Sequence, residues 1–385
     1  MHQDVQNLIQ KIHEGPFKLV LATAGAGTQA LSDLLSIAGA SNTLIESVVP
    51  YSKESFNDFV GQTPKKYVSA RATRLLAGNA FYRAHKLTTK YPHFENLIGL
   101  ACSASIATNR TKRGDHHAFI VTWQFDRITQ THILFDKEHR SRLEEETVVS
   151  TIMLNMLAEA CGLPDRVKIS LTDKDRLTQS EHDHKETVEG FLQNKYPFVG
   201  IYDHGRTKKK GINPQVLLPG SFNPLHQGHM ELASVAEQIL EKPVAFEISA
   251  VNVDKPTLPK DVILARIAQF AGQHPVYVTG APTFLDKARL FNNTVFVIGF
   301  DTAERILMPK YYDGDSSNML EALDEIRSLS CRFLVAGRKG KDGVYDSAES
   351  LKIPEGFADL FQSIPDDVFR NDISSSEIRQ QEKSS

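Results

Sequence analysis

The sequence predicts an α/β protein built from two three-layer domains. Three observations carry this expectation. Short apolar runs of strand length alternate with stretches of helical periodicity along the 385 residues. Two of these runs, at residues 17–23 and 216–218, open directly into a glycine-containing loop and then a helix. The length itself exceeds what a single core usually organises. The expected division is residues 1–165, a charged linker over 166–213 carrying an extra strand, and residues 214–385.

The elements follow in order. Val5, Leu8, Ile9 and Ile12 fall on one face of a first helix. Residues 17–23 (FKLVLAT) read as a buried strand, followed by the small-residue loop 24–28 and a helix over 29–37. A strand is expected over 43–49, an alanine-rich helix over 69–87 and a buried strand over 96–103. Residues 109–117 form a basic loop in which Arg110, Lys112, Arg113, His116 and His117 either hold an anion or are simply solvated. Paired strands at 118–125 and 130–135 and a long helix over 144–161 close the first half. The stretch 163–213 contains TDKDRLTQSEHDHKE and is expected as a solvated segment; a metal at His182, Asp183 and His184 is the weaker alternative. Within it, a short helix at 187–192 and a strand at 198–202 are expected.

The second half turns on VLLPGSFNPLHQGHMELA. Val216, Leu217 and Leu218 make a short buried strand, and Pro219, Gly220, Asn223 and Pro224 break it. From His229 onward, Met230, Leu232, Ala233, Ala236, Ile239 and Leu240 recur at helical spacing. His226 and His229 thus stand at a helix entrance, where free N–H groups and the positive dipole end favour phosphate. Gly220 and Gly228 leave room for phosphate to approach the backbone. Two surface histidines are the plain alternative, and a zinc site lacks a third His or Cys nearby at ligand spacing.

Residues 245–251 form the next strand and lead into Asn252, Asp254 and Lys255, a polar set at the strand end where open α/β sheets bind ligands. A polar turn before proline is the alternative. Further helices are expected at 262–272, 283–290 and 320–329, with strands at 276–279, 294–298 and 331–336. The strand at 294–298 ends at Gly299 and Asp301, and the strand at 331–336 ends beside Arg338. Near the C-terminus, Ser374, Ser375 and Ser376 open a helix, with Arg379 one turn in, placed to pair with a terminal phosphate.

Composition bounds the partners. The net charge of −3 argues against nucleic acid held by charge alone. Three widely spaced cysteines suggest a reducing, cytoplasmic setting rather than a disulfide framework. No apolar run approaches membrane-span length.

GSFNPLHQGH resembles the H-x-G-H signature of the nucleotidyltransferase superfamily, most closely that of nicotinamide-mononucleotide adenylyltransferases. ISSSEIR at 373–379 is similar to the superfamily's I-S-S-T-x-x-R, with Ser376 in place of threonine, and Gly299-Phe300-Asp301 to its G-x-D. The resemblance implies a Rossmann-like parallel sheet and a transfer of AMP from ATP, with Mg2+, to a phosphorylated acceptor such as nicotinamide or nicotinate mononucleotide. It further implies catalytic roles for His226 and His229, and no metal held by protein ligands. Gly220, Ser221, Phe222, Asn223, Gly228, Gly299, Asp301, Arg338, Ser374, Ser375, Ser376 and Arg379 would hold the nucleotide; Asn252, Asp254 and Lys255 would hold the acceptor. A transferase for another acceptor, perhaps drawing on CTP, is the runner-up. A nucleotide-binding regulator or an NTP hydrolase is the reading from a different class. Homo-oligomerisation is compatible with each.

The first half resembles the C-terminal domain of the CinA family, which hydrolyses the carboxamide of nicotinamide mononucleotide. AGAS at 38–41, Tyr51-Ser52 and the segments 98–108 and 112–121 carry the similarity. The family's catalytic serine has no counterpart in the loop Thr23-Ala24-Gly25-Ala26-Gly27-Thr28. Without that hydroxyl the family's attack has no nucleophile. Thr23, Thr28, Ser103 and Ser105 are the hydroxyls left nearby, and a binding, regulatory or differently acting domain is expected.

Overall fold

The computed structural model describes residues 2–88, 94–109, 113–137, 139–211, 213–251, 256–339 and 345–369. The chain divides into two compact units. The first is Met1–Glu189, Ile201–Thr207 and Ile267–Gln273; the second is Gly190–Gly200, Lys208–Arg266 and His274–Ser385.

The first unit holds helices α1 (Gln3–Glu14), α2 (Thr28–Ser36), α3 (Ala40–Thr43), α4 (Lys53–Val60), α5 (Ala70–Leu87) and α6 (Arg142–Ala160). Its strands are β1 (Lys18–Ala24), β2 (Leu44–Val48), β3 (Leu97–Ser105), β4 (His117–Trp123), β5 (Arg127–Leu134) and β6 (Arg176–Asp183), in the order β2-β1-β3-β4-β5-β6. β1 runs parallel to β2 and β3, and the remaining pairs are antiparallel. Strand alternation sends one set of side chains, Leu19, Leu21, Ile98, Leu100 and Ile120 among them, into a core with the first, second and sixth helices. The other set, including Val20, Ala22, Ala101 and Val121, packs against the α4–α5 side. This gives three layers. Helix α6 starts at a capping box in which Ser141 and Glu144 satisfy each other's backbone N–H groups.

The stretch expected as a linker is instead woven into structure. Arg176–Asp183 pairs with β5 along its whole length as the sixth strand, although six of its eight residues are exposed. Its charge pattern hides a buried anchor. Asp175 accepts two hydrogen bonds from Arg140, at 3.0 and 2.6 Å, and one each from the N–H groups of Thr172 and Asp136. The stretch continues as α7 (His184–Leu192) and β7 (Phe198–Ile201), and β7 joins the second sheet.

The second unit's sheet adds β8 (Thr207–Lys208), β9 (Val216–Pro219), β10 (Val244–Ser249), β11 (Val276–Thr279), β12 (Val295–Gly299) and β13 (Arg332–Ala336). A hairpin of β14 (Arg338–Lys339) and β15 (Tyr345–Asp346) stands apart, and β16 (Phe361–Ser363) completes the sheet. The helices are α8 (Gln227–Leu240), α9 (Lys260–Ala268), α10 (Phe284–Leu290), α11 (Phe300–Ile306) and α12 (Ser316–Ser328). Strand order is β16-β13-β12-β9-β10-β11-β7-β8, and the pairs from β16 to β11 are parallel. The central five strands therefore have the doubly wound order, with the sequence order of the parallel strands reversing between β9 and β12. Phe296, Phe333, Phe361 and Phe291 build the core on one side of this sheet. The edge strand β16 was not expected from the sequence. Its three residues are too few to show a period.

Candidate active site

In an open parallel sheet, the crevice for ligands lies at the strand C-termini where the order reverses. Here that point lies between β9 and β12. The loop after β9 carries Gly220, Ser221, Phe222 and Asn223, and β12 ends on Gly299. The two predicted segments are thus neighbours in space.

The loop is held from its own backbone. The Gly220 N–H donates to the Glu247 carbonyl at 2.9 Å, tying it to β10. Phe222 has a positive φ of 43°, which turns its fully buried ring against Phe246 at 5.3 Å and His229 at 4.9 Å. A side chain at Gly220 would meet that ring, since its Cβ would lie 2.6 Å from the nearest Phe222 atom. Of the residues expected to hold the nucleotide, Phe222 buries its ring against His229, while Ser221 and Asn223 are exposed.

His226 caps α8 in an extended conformation (φ −135°, ψ 170°), and His229 lies in its first turn. The rings stack with centroids 3.6 Å apart at 28°. The His226 backbone N–H donates to His229 Nδ1 at 3.3 Å. That bond places the neutral ring's proton on Nε2, which then serves as a donor. Burial, and then the neighbouring His226, push the His229 pKa down to about 3; burial also lowers that of His226. Both rings are therefore neutral at pH 7, and each offers an N–H as donor. Gly228 is buried between them.

On the other flank, Gly299 caps α11, and Asp301 lies in its first turn. Gly299 pairs with Ala336 in the sheet, which brings Arg338 within an ion pair of Asp301. Both side chains remain half exposed. The structure therefore brings together the loop after β9, the two histidines, Gly299, Asp301 and Arg338. Asn252, Asp254, Lys255, Ser374, Ser375, Ser376 and Arg379 lie outside the described residues.

Sequence reasoning missed a buried polar network beside this crevice. Glu247 is fully buried, and its carboxylate accepts from Lys287 at 2.8 Å, from Ser249 and from Thr279. Glu247 falls within an apolar strand run and Lys287 within an amphipathic helix, so neither stood out. Only the pairing of β10 with β11 and the start of α10 joins them.

In the first unit, the loop over 23–28 is committed to structure. Gly25 and Gly27 both have φ of 97°. The Glu146 carboxylate accepts from the N–H groups of Gly27, at 2.9 and 3.0 Å, and Gln29, at 3.0 Å, and from the Thr28 hydroxyl at 3.2 Å. Thr23 is fully buried and donates to the Ala26 carbonyl. Ser103 shares a 2.6 Å hydrogen bond with Thr73. A cavity of about 410 Å³ opens beside this loop, lined by Gly25, Thr28, Val49, Tyr51, Arg142 and Glu146 among others. In the basic loop, Arg110 and Lys112 lie outside the described residues. His116 turns inward to the buried Glu145 at 2.9 Å, and His117 pairs with His132 at 3.3 Å.

Residues 217–381 match the model of the cytidylyltransferase-like family, of the nucleotidyltransferase superfamily. Several solved structures are similar to the N-terminal part. The competence/damage inducible protein CihA from Agrobacterium tumefaciens is 16% identical with a TM-score of 0.32, the match covering 42% of this chain and 97% of that one. The competence or damage-inducible protein from Enterobacter asburiae is 15% identical with a TM-score of 0.33, over 41% of this chain and 99% of that one. A CinA superfamily protein from Escherichia coli is 12% identical with a TM-score of 0.31, over 42% of this chain and 90% of that one. No curated protein matches the chain. Among the described residues, no helix is long and apolar enough to cross a membrane.

Proposed function

We propose that the second unit moves AMP from ATP to a phosphorylated acceptor, with nicotinamide mononucleotide or its acid as the acceptor, and releases pyrophosphate. The observation that carries this is the stacked His226–His229 pair at the start of α8, set at the point where the sheet order reverses. An oxygen of the acceptor phosphate attacks the α-phosphorus. The new P–O bond forms as the bond to the β-phosphate oxygen breaks, and pyrophosphate leaves with that electron pair. The acceptor is already an anion, so no general base is required. His226 and His229 donate to the phosphoryl oxygens on which charge builds, and the loop after β9 fixes the direction of approach. Arg338 and Asp301, with Gly299, border the nucleotide side. The imidazoles of His226 and His229, the Ser221 hydroxyl and the Asp301 carboxylate suit magnesium carried in on the triphosphate and held mainly by phosphate oxygens and water. When bound, the ion neutralises phosphate charge.

The first unit is read as a CinA-like domain for which deamidation is not expected, because the family's catalytic serine has no counterpart in the loop over 23–28, and the Thr23 and Ser103 hydroxyls are buried and turned to Ala26 and Thr73. The test is pyrophosphate release from ATP or CTP with magnesium, with nicotinamide mononucleotide, with its acid, or with no acceptor. Release only with one of these acceptors, yielding a dinucleotide, is the expected result. A preference for CTP, in keeping with the cytidylyltransferase-like match, would move the reading to a cytidylyltransferase. Phosphate release without an acceptor would replace it with a hydrolase.

A further inference from the structure

The network of Glu247, Ser249, Thr279 and Lys287 lies at the C-terminal ends of β10 and β11. Lys287 is 3% exposed and spends all three of its protons there, on Glu247 at 2.8 Å, on the Ser249 hydroxyl at 2.6 Å and on the Ala281 carbonyl at 2.8 Å. Its charge is matched by a fully buried carboxylate. With no proton to spare, Lys287 does not itself bind phosphate. A buried ion pair seldom stabilises a fold better than well-packed apolar side chains would; what it fixes is geometry. Here it fixes one place. Glu247 holds the signature loop through its carbonyl, bonded to the Gly220 N–H, and holds the strand ends through its side chain. Immediately beyond, the Ala250 N–H donates to Thr279 at 2.8 Å and the Leu258 N–H to Ala250 at 2.8 Å, closing the base of the connection that follows β10.

β9 lies between β12, which carries Gly299 and Asp301, and β10. In the transferase reading the nucleotide lies on the β12 flank, which leaves the β10 flank to the acceptor. We infer that Glu247, Lys287 and Ser249 are positioning residues that hold this flank in register for the acceptor. The inference rests on the transferase reading for its kinetic consequence, but not for its structural one.

Two variants test it: Lys287→Met, and the milder Ser249→Ala should the first fail to fold. Amide hydrogen exchange is read at Ala250 and Leu258, and at Val295, whose N–H bonds to Gln215 on the other flank. Faster exchange at the first two with Val295 unchanged is expected. Unchanged exchange at Ala250 and Leu258 in a folded variant overturns the inference, whatever the activity. In the pyrophosphate assay, the acceptor KM should rise about 10-fold or more while the nucleotide KM moves by less than about twofold. An equal rise in both, or no rise in the acceptor KM, also overturns it. A wild-type protein that shows no acceptor-dependent release sinks the transferase reading instead, and the exchange data still decide the positioning role.

Discussion

The imidazole of His229 is confined by Phe222 on one side and His226 on the other, and its Nδ1 is already used. His229→Ala should lower transfer by roughly 10²-fold or more, the order seen when a preorganised donor to a developing charge is lost. Full turnover by a folded variant would remove the histidine from the mechanism. The same burial has a stability consequence. The ring protonates near pH 6.5 in the unfolded chain and only near 3 in the folded one. The unfolded state therefore binds the extra proton between these values, and stability falls as pH is lowered through that window. In His229→Asn, the urea midpoint should drop less between pH 7 and pH 5 than in wild type. Arg338 and Asp301 are each about half exposed, so Arg338→Ala should cost less than about 1 kcal/mol of stability. Its effect should appear instead as a higher KM for the nucleotide.

At the scale of elements, two carboxylates anchor the first unit. Glu146 of α6 sits on the N–H groups opening α2, which are left unpaired by the helix itself. Glu146→Ala should cost about 1–3 kcal/mol of stability in urea unfolding. Thr28→Ala should leave no deamidase activity to lose; a measurable activity in wild type that this change removes would reverse the reading of the loop. Asp175 ties the approach to β6 to Arg140, with side-chain exposures of 0% and 8%. Burial opposes its charge, but the Arg140 pair and two backbone N–H groups outweigh it and hold its pKa well below the usual carboxylate range. Its contribution is present above pH 4 and is lost as the carboxylate protonates at lower pH. Asp175→Asn at pH 7 should cost about 3–5 kcal/mol, the penalty of leaving a buried guanidinium unpaired. The sequence hid this anchor because TDKDRLTQSEHD has the composition of a solvated segment, and a single buried aspartate does not alter composition.

For the molecule as a whole, the proposed chemistry brings its metal with its substrate. Chelation with EDTA should abolish pyrophosphate release and leave the Tm of the nucleotide-free protein unchanged, because an ion that binds only with the triphosphate contributes nothing to the free fold. A lowered Tm would require a protein-held metal site.

Local sequence determined the parts that local physics can specify. The short apolar run, the Gly-Pro break and the helical recurrence after His229 made strand, loop and helix readable at residues 216–240, and with them the histidine pair. The Gly299–Asp301 strand end was readable for the same reason. Tertiary structure decided whatever depends on which strands become neighbours. It set the reversal between β9 and β12 that brings Gly220 and Gly299 together, the ion pair of Asp301 with Arg338, and the burial of Phe222 behind His229. It also joined Glu247 to Lys287 across forty residues, and pinned a charged stretch into the first sheet as β6. Periodicity reports which face of one element is buried; it carries no term for the partner that buries it, and every one of these features is a property of the partner.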